Sequence, residues 1–292
     1  MNKSVLAEGK NGFSMLQIDN KFATAVISLY GAQVLSYKPK TQDAKELLFV
    51  SDNAYFEQGK AIKGGIPICW PWFGDDPLNS GRPAHGFARN TLWQHESTTA
   101  TKQGETQVTL SLNDTATTQT LWPHAFKLTL IVTIGKTLHL SLQTINMDNE
   151  TFTITQALHT YFAIGDIKHT RVTGLDNIHY IDKTIESDIP IKQIGDIIVD
   201  QEVDRIYTSS PSTTTLVDEK NKQQISIQSS ASNTTVVWNP WANGAAKMAD
   251  LNDDGYQYFI CVETANAASD TIEIAPNESF EIGVEYTVEQ IN

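Results

Sequence analysis

Apolar side chains recur at every second position through much of this chain. A period of two restricts it to β-strands with one buried and one wetter face. Val108, Leu110 and Leu112 alternate with Gln107, Thr109 and Ser111, and Leu138, Leu140 and Leu142 with His139, Ser141 and Gln143. Phe152, Ile154, Gln156 and Leu158 oppose Thr153, Thr155, Ala157 and His159. Near the end, Phe280, Ile282, Val284 and Tyr286 oppose Glu281, Gly283 and Glu285. Threonine, valine, isoleucine and aromatic residues fill these runs, as strand propensity favours. Turn chemistry separates them at Gly135-Lys136, Met147-Asp148-Asn149, Asp253-Asp254-Gly255 and Pro276-Asn277-Glu278. No amphipathic helix of ten or more residues stands out, nor any repeat, heptad or long linker. Many short, closely spaced strands predict an all-β sandwich or barrel. At 292 residues the chain is long for one domain, but all-β sandwiches run to this size as one unit. The expectation is therefore a single domain over residues 1–292, with the Ser/Thr-rich Tyr207–Thr215 segment as a surface loop.

Composition narrows the partners. A formal net charge of −13 argues against nucleic acid, whose phosphates need a basic face. No run approaches the roughly 18 apolar residues of a membrane span, and the first twelve residues lack the apolar core of a secretory signal. Cys69 and Cys261 are the only cysteines, too few for a disulfide scaffold or a cysteine zinc site. A soluble, reduced, cytoplasmic protein is expected. In so acidic a chain, the grouping of Lys60, Lys63, Arg82 and Arg89 amid glycines and aromatics is informative.

Four segments could carry chemistry, and each has a plainer alternative. In Lys63–Gly74 (KGGIPICWPWFG), paired glycines allow close backbone approach to a ligand, and Trp70, Trp72 and Phe73 offer surfaces on which sugars stack. The same stretch also suits a proline-braced plug at one end of a sandwich, which composition alone favours. In Arg82–Arg89 (RPAHGFAR), His85 and Arg89 with Lys63 could form an anion pocket, or His85 could be a satisfied surface group. His159, on the polar face of its strand by parity, is either a general acid or base or a hydrogen-bonded strand histidine. Glu263 ends the mostly apolar run Tyr258–Val262. It is either a desolvated base with a raised pKa or a solvated strand-end residue. No Ser/His/Asp elbow, P-loop or HExxH signature occurs.

Together these segments resemble the aldose 1-epimerase superfamily, and within it the hexose-6-phosphate mutarotase branch. The resemblance is carried, in order, by Gly64–Gly74, His85-Gly-Phe-Ala-Arg89, Leu158-His-Thr-Tyr-Phe162 and Cys261-Val-Glu263. Asp204-Arg-Ile-Tyr207 and the Val237-Trp-Asn-Pro-Trp241 run leading towards Lys247 support it. It implies a large antiparallel β-supersandwich of the galactose mutarotase type, with the site in a cleft on a polar face. It implies His159 as general acid and Glu263 as general base, with His85, Asp204 and Trp238 contacting the sugar. Arg89 and the basic residue before Gly64 would hold the phosphate. That residue is Lys63, where arginine is more usual, so the charge is kept but the bidentate fork is lost.

The implied reaction opens a hemiacetal, rotates the aldehyde and recloses the ring. A base takes the anomeric hydroxyl proton while an acid protonates the ring oxygen, so imidazolium plus carboxylate suffices, with no cofactor and no metal. The expected substrate is a phosphosugar, and the expected state a monomer. The rival readings are an aldose 1-epimerase for unphosphorylated sugars and a non-catalytic carbohydrate-binding module.

Overall fold

A computed structural model of the chain describes residues 3–187 and 189–291, so Met1, Asn2, Asp188 and Asn292 of the expected 1–292 span lie outside the described residues. Three of the four alternating runs are strands of one nine-stranded sheet; the fourth breaks at Thr155, with Phe152–Ile154 pairing in a two-stranded sheet and Gln156–Leu158 in another sheet, where both of its faces are buried. Thr106–Asn113, Phe126–Ile134, Leu138–Asn146 and Ser279–Gln290 pair antiparallel in the nine-stranded sheet, with tight turns where the sequence placed them. Their apolar positions, including Val108, Leu110, Leu140, Leu142, Ile282 and Val284, are buried in the largest core cluster.

Against this sheet lies an eight-stranded sheet that includes His179–Asp182, Val203–Thr208, Thr234–Asn239, Phe259–Asn266, Gln156–Leu158 and Ile68–Cys69. Every strand pairing in the described residues is antiparallel. The N-terminal strands, from Lys3–Glu8 to Gln33–Pro39, form a separate four-stranded sheet. The two α-helices among the described residues are short, Ala116–Leu121 and Trp241–Ala245. The expected Tyr207–Thr215 loop is shorter than predicted. The strands Val203–Thr208 and Thr213–Asp218 take both of its ends, and the chain crosses between the two sheets in the four residues left over.

The aromatic stretch is mostly core, the plainer of the two sequence readings. Trp70 is fully buried; its Nε1–H donates to Thr144 Oγ1 at 3.1 Å, and its ring packs on Phe87, Trp122 and Phe126 at 4.5 to 5.6 Å. Trp72 is also buried. The glycines likewise admit neighbouring backbone rather than a ligand. Gly64 has φ +121°, and a Cβ there would lie 2.3 Å from the Phe49 carbonyl oxygen. Gly86 has φ +71°, and its Cβ would lie 1.9 Å from the Trp70 carbonyl oxygen. Only glycine fits either place.

Trp70 therefore clamps the segment that carries His85 and Arg89 to the sheet-to-sheet core. Trp70→Ala is expected to cost about 3–5 kcal/mol, read as a lower midpoint in urea unfolding with little change in slope.

Candidate active site

The eight-stranded sheet supplies the floor of a cleft of about 260 Å³, lined by His85, His159, Asp204, Trp238, Glu263, Lys63 and Arg89. All seven residues singled out in the sequence converge there. Register explains how. Asp204 pairs directly with Trp238, Trp238 with Cys261, and Cys261 with Tyr161, so these side chains project from the same face. Glu263 is two residues along from Cys261. His159 stands in line with it between the two short pairings Leu158↔Thr264 and Tyr161↔Cys261.

His159 Nε2 lies 3.4 Å from Glu263 Oε1, and both side chains are almost completely buried, at 9% and 1% exposure. Tyr161 stacks flat on the imidazole, with centroids 4.9 Å apart at 9°. Trp238 meets it edge-on at 6.0 Å. The backbone N–H of His159 donates to Pro67 O at 3.0 Å, fixing the strand against the glycine-rich wall. His159 Nδ1 and Glu263 Oε2 are buried without a hydrogen-bond partner.

Burial dominates the electrostatics. It pushes the His159 pKa well below the ordinary histidine value, and His85, Arg89 and Lys63 add to that. It pushes Glu263 well above the ordinary carboxylate range; nearby Asp204 reinforces the shift and Arg89 opposes it. Both shifts therefore act against the charged forms, and so against the imidazolium–carboxylate pair that the sequence suggested for the reaction.

His85 stands 5.8 Å from His159, ring to ring. Its Nδ1 accepts from the Gly74 N–H at 3.3 Å, which leaves the proton on Nε2. Burial, then Arg89 and Lys63, bring its pKa down to about 3, so it is a neutral donor at any physiological pH. Asp204 is pushed up to about 6, first by burial and then by Glu202 and Asp182, against the pull of Lys183. Arg89 Nη2 donates to Ala84 O at 2.9 Å, and its Nε is buried without a partner. Lys63 Nζ reaches Met248 Sδ at 3.7 Å and sits 6.0 Å from the Trp238 ring centre. The cleft therefore holds two cationic side chains, Lys63 and Arg89, together with two carboxyl groups, Asp204 and Glu263.

Phe73, which the sequence offered as a stacking surface, also lines the cleft, as do Tyr161, Val236 and Met248, which were not assigned a role there. Tyr161 was within reach, since it lies two residues from His159 on the same strand face. Met248 carries no signal of its own. Lys247, beside it, is exposed and outside the lining. Among the described residues no three His, Cys, Asp or Glu side chains are placed to hold a metal ion. No helix among them is long and apolar enough to cross a membrane.

A buried histidine–carboxylate pair in a polar cleft on a large antiparallel sandwich is the arrangement of a sugar epimerase. The chain belongs to the aldose 1-epimerase family, which it matches over residues 14–287. A relative from Escherichia coli with the provisional name glucose-6-phosphate 1-epimerase is 36% identical over 254 residues, covering 87% of this chain and 83% of its own. One from Cenchrus ciliaris, named in the same way, is 36% identical over 264 residues, 88% of this chain and 78% of its own. A crystal structure of a provisionally named mutarotase from Salmonella typhimurium superposes with a TM-score of 0.88 at 29% identity, over 98% of this chain and 97% of that one.

Asp204 gives a direct test of the cleft's electrostatics. An acid whose folded-state pKa is raised holds its proton more tightly when native. Its contribution to stability is therefore present below about pH 4 and lost as the pH rises through about 6. Asp204→Asn is expected to raise stability by about 1–2 kcal/mol at pH 7.5 and by nearly nothing at pH 4, read by chemical denaturation at both pH values.

Proposed function

We propose that this protein interconverts the α and β anomers of an aldohexose 6-phosphate, with glucose 6-phosphate the leading candidate. The observation that carries the reading is the buried His159–Glu263 pair, 3.4 Å apart, in a cleft that Lys63 and Arg89 also line. The names of the Escherichia coli and Cenchrus ciliaris relatives support both the reaction and the substrate class, and that of the Salmonella structure supports the reaction.

A single proton shared by the pair supplies the catalytic requirement. Passing it from Glu263 to His159 creates a carboxylate and an imidazolium, and substrate hydroxyls that reach their unpartnered atoms lower the cost of that separation. Imidazolium then protonates the ring oxygen while the carboxylate removes the anomeric hydroxyl proton, and the C1–ring-oxygen bond breaks to give the open aldehyde. Rotation about C1–C2 and the reverse transfers close the ring as the other anomer. No net proton, electron or atom is exchanged, so the residues alone balance the reaction. His85, a neutral Nε2–H donor, and Asp204 hold hydroxyls. Trp238 gives a flat wall, and Lys63 with Arg89 anchors the phosphate so that only the anomeric end moves.

The chain is taken to act as one domain and as a monomer, since all seven side chains come from one chain. It is placed in the reducing cytoplasm, where Cys69 and Cys261, both buried free thiols, stay reduced.

Exchange NMR on equilibrated glucose 6-phosphate, with glucose alongside, is the test. Faster exchange for the phosphate than for glucose is expected; equal enhancement would indicate an epimerase for unphosphorylated aldoses, and none for either sugar from folded protein would leave a binding module. His159→Ala and Glu263→Gln should each lower kcat by about 10²–10⁴-fold with the melting curve retained, and normal turnover by either would remove it from the mechanism. Lys63→Ala with Arg89→Ala should raise KM for the phosphorylated sugar far more than for glucose.

A further inference from the structure

The two cations of the cleft are not equivalent. Arg89 faces no carboxylate within ion-pair distance among the described residues, whereas Lys63 Nζ already lies 3.5 Å from Asp250 Oδ1. Both members of that pair are mostly buried, at 16% and 19% exposure. Asp250 comes from the segment after the short helix Trp241–Ala245. Asn53 Nδ2–H, donating to Asn252 Oδ1 at 2.5 Å, ties this segment to the wall from which Lys63 comes. Beside the cleft, a second recess of about 290 Å³ opens between Lys63, Arg89 and Tyr161, with Asp250 on its wall. The nearby Lys60 is exposed and paired with Glu57 at 2.9 Å. A carboxylate therefore occupies one of the two positive groups at a place otherwise suited to an anion.

We propose that Asp250 is a built-in competitor at the anion site: in the free protein its carboxylate engages Lys63 in place of the phosphomonoester, and the substrate's dianion binds by displacing it. This rests on the reading above that Lys63 and Arg89 take the phosphate. Coulomb attraction scales with the product of the charges, so a dianion that engages Lys63 and Arg89 together outcompetes a single carboxylate. A neutral sugar gains nothing by parting the Lys63–Asp250 pair, and a monoanion gains little. Partial burial keeps the competition from being screened away by salt. The carboxylate thus raises the charge a ligand needs in order to enter, and weakens phosphate binding relative to bare cations.

The test is anomer-exchange kinetics on glucose 6-phosphate and on glucose, with inorganic phosphate as competing ligand. The proteins are wild type, Asp250→Asn and Asp250→Glu, the same two substitutions in a Lys63→Ala background, and Lys63→Ala alone, each checked for folding by a thermal melt. Asp250→Asn is expected to lower KM for glucose 6-phosphate and the inhibition constant of phosphate by about five- to tenfold, and to move the glucose KM by much less. Asp250→Glu should return these values towards wild type, and in the Lys63→Ala background Asp250→Asn should change neither. A higher KM for glucose 6-phosphate in the folded Asn variant would mean that Asp250 only holds the lysine in place, and an unchanged one that the pair is inert; either overturns the proposal. If Lys63→Ala alone, with Asp250 intact, fails to separate phosphosugar from free sugar, the anion site itself is misassigned, which is a distinct result.

Discussion

Two opposed strands bring an imidazole and a carboxyl to the same depth in the sandwich, and water is excluded from both. That desolvation is the constraint on which the site depends. Burial disfavours either charge alone, and the two groups stand only 3.4 Å apart. The surroundings are built to hold that geometry. Tyr161 packs flat against the imidazole, Pro67 accepts its backbone N–H, and the register of Phe259–Asn266 fixes Glu263 opposite. A histidine and a glutamate on flexible loops would keep neither the separation nor the dryness.

The walls answer to the same sheet. The segment containing Lys63 runs along residues 158–161, where one short strand ends and the next begins, through hydrogen bonds from His159 N–H to Pro67 O and from Tyr161 N–H to Gly65 O. The segment containing His85 and Arg89 is held by the backbone of Trp70, which accepts from Phe87 N–H at 3.0 Å. Side chains distant in sequence thereby acquire fixed positions without any helix of more than six residues among those described. The tightest points are glycines, because two backbones meet there and no Cβ can fit.

Where one face of a strand is wet and the other dry, the sequence displayed it, and the strands at Thr106–Asn113, Leu138–Asn146 and Ser279–Gln290 were legible from alternation alone. Phe259–Asn266 was harder, because all eight of its residues are buried and the period of two disappears. The site residues became legible through ordered motifs rather than periodicity. Taken singly, His159 and Glu263 look like ordinary strand residues, since nothing local states that they face one another. The aromatic stretch divides between its two readings: Trp70 and Trp72 are packed inside, as its composition favoured, and Phe73 alone of that group reaches the cleft. The segment carrying Met248 and Asp250 has neither period nor motif, and its position follows only from tertiary packing.

Lys63 and Arg89 sit within a molecule of net charge −13. At low ionic strength, where the Debye length reaches roughly 30 Å, the protein as a whole repels a dianionic ligand from afar, while at contact Lys63 and Arg89 attract it. Moderate salt screens the first effect more than the second. Encounter with such a ligand is therefore hindered least where ionic strength is appreciable, the reverse of an enzyme that draws its substrate in from afar. On the proposed reading, Lys63 and Arg89 are a short-range grip rather than a long-range lure.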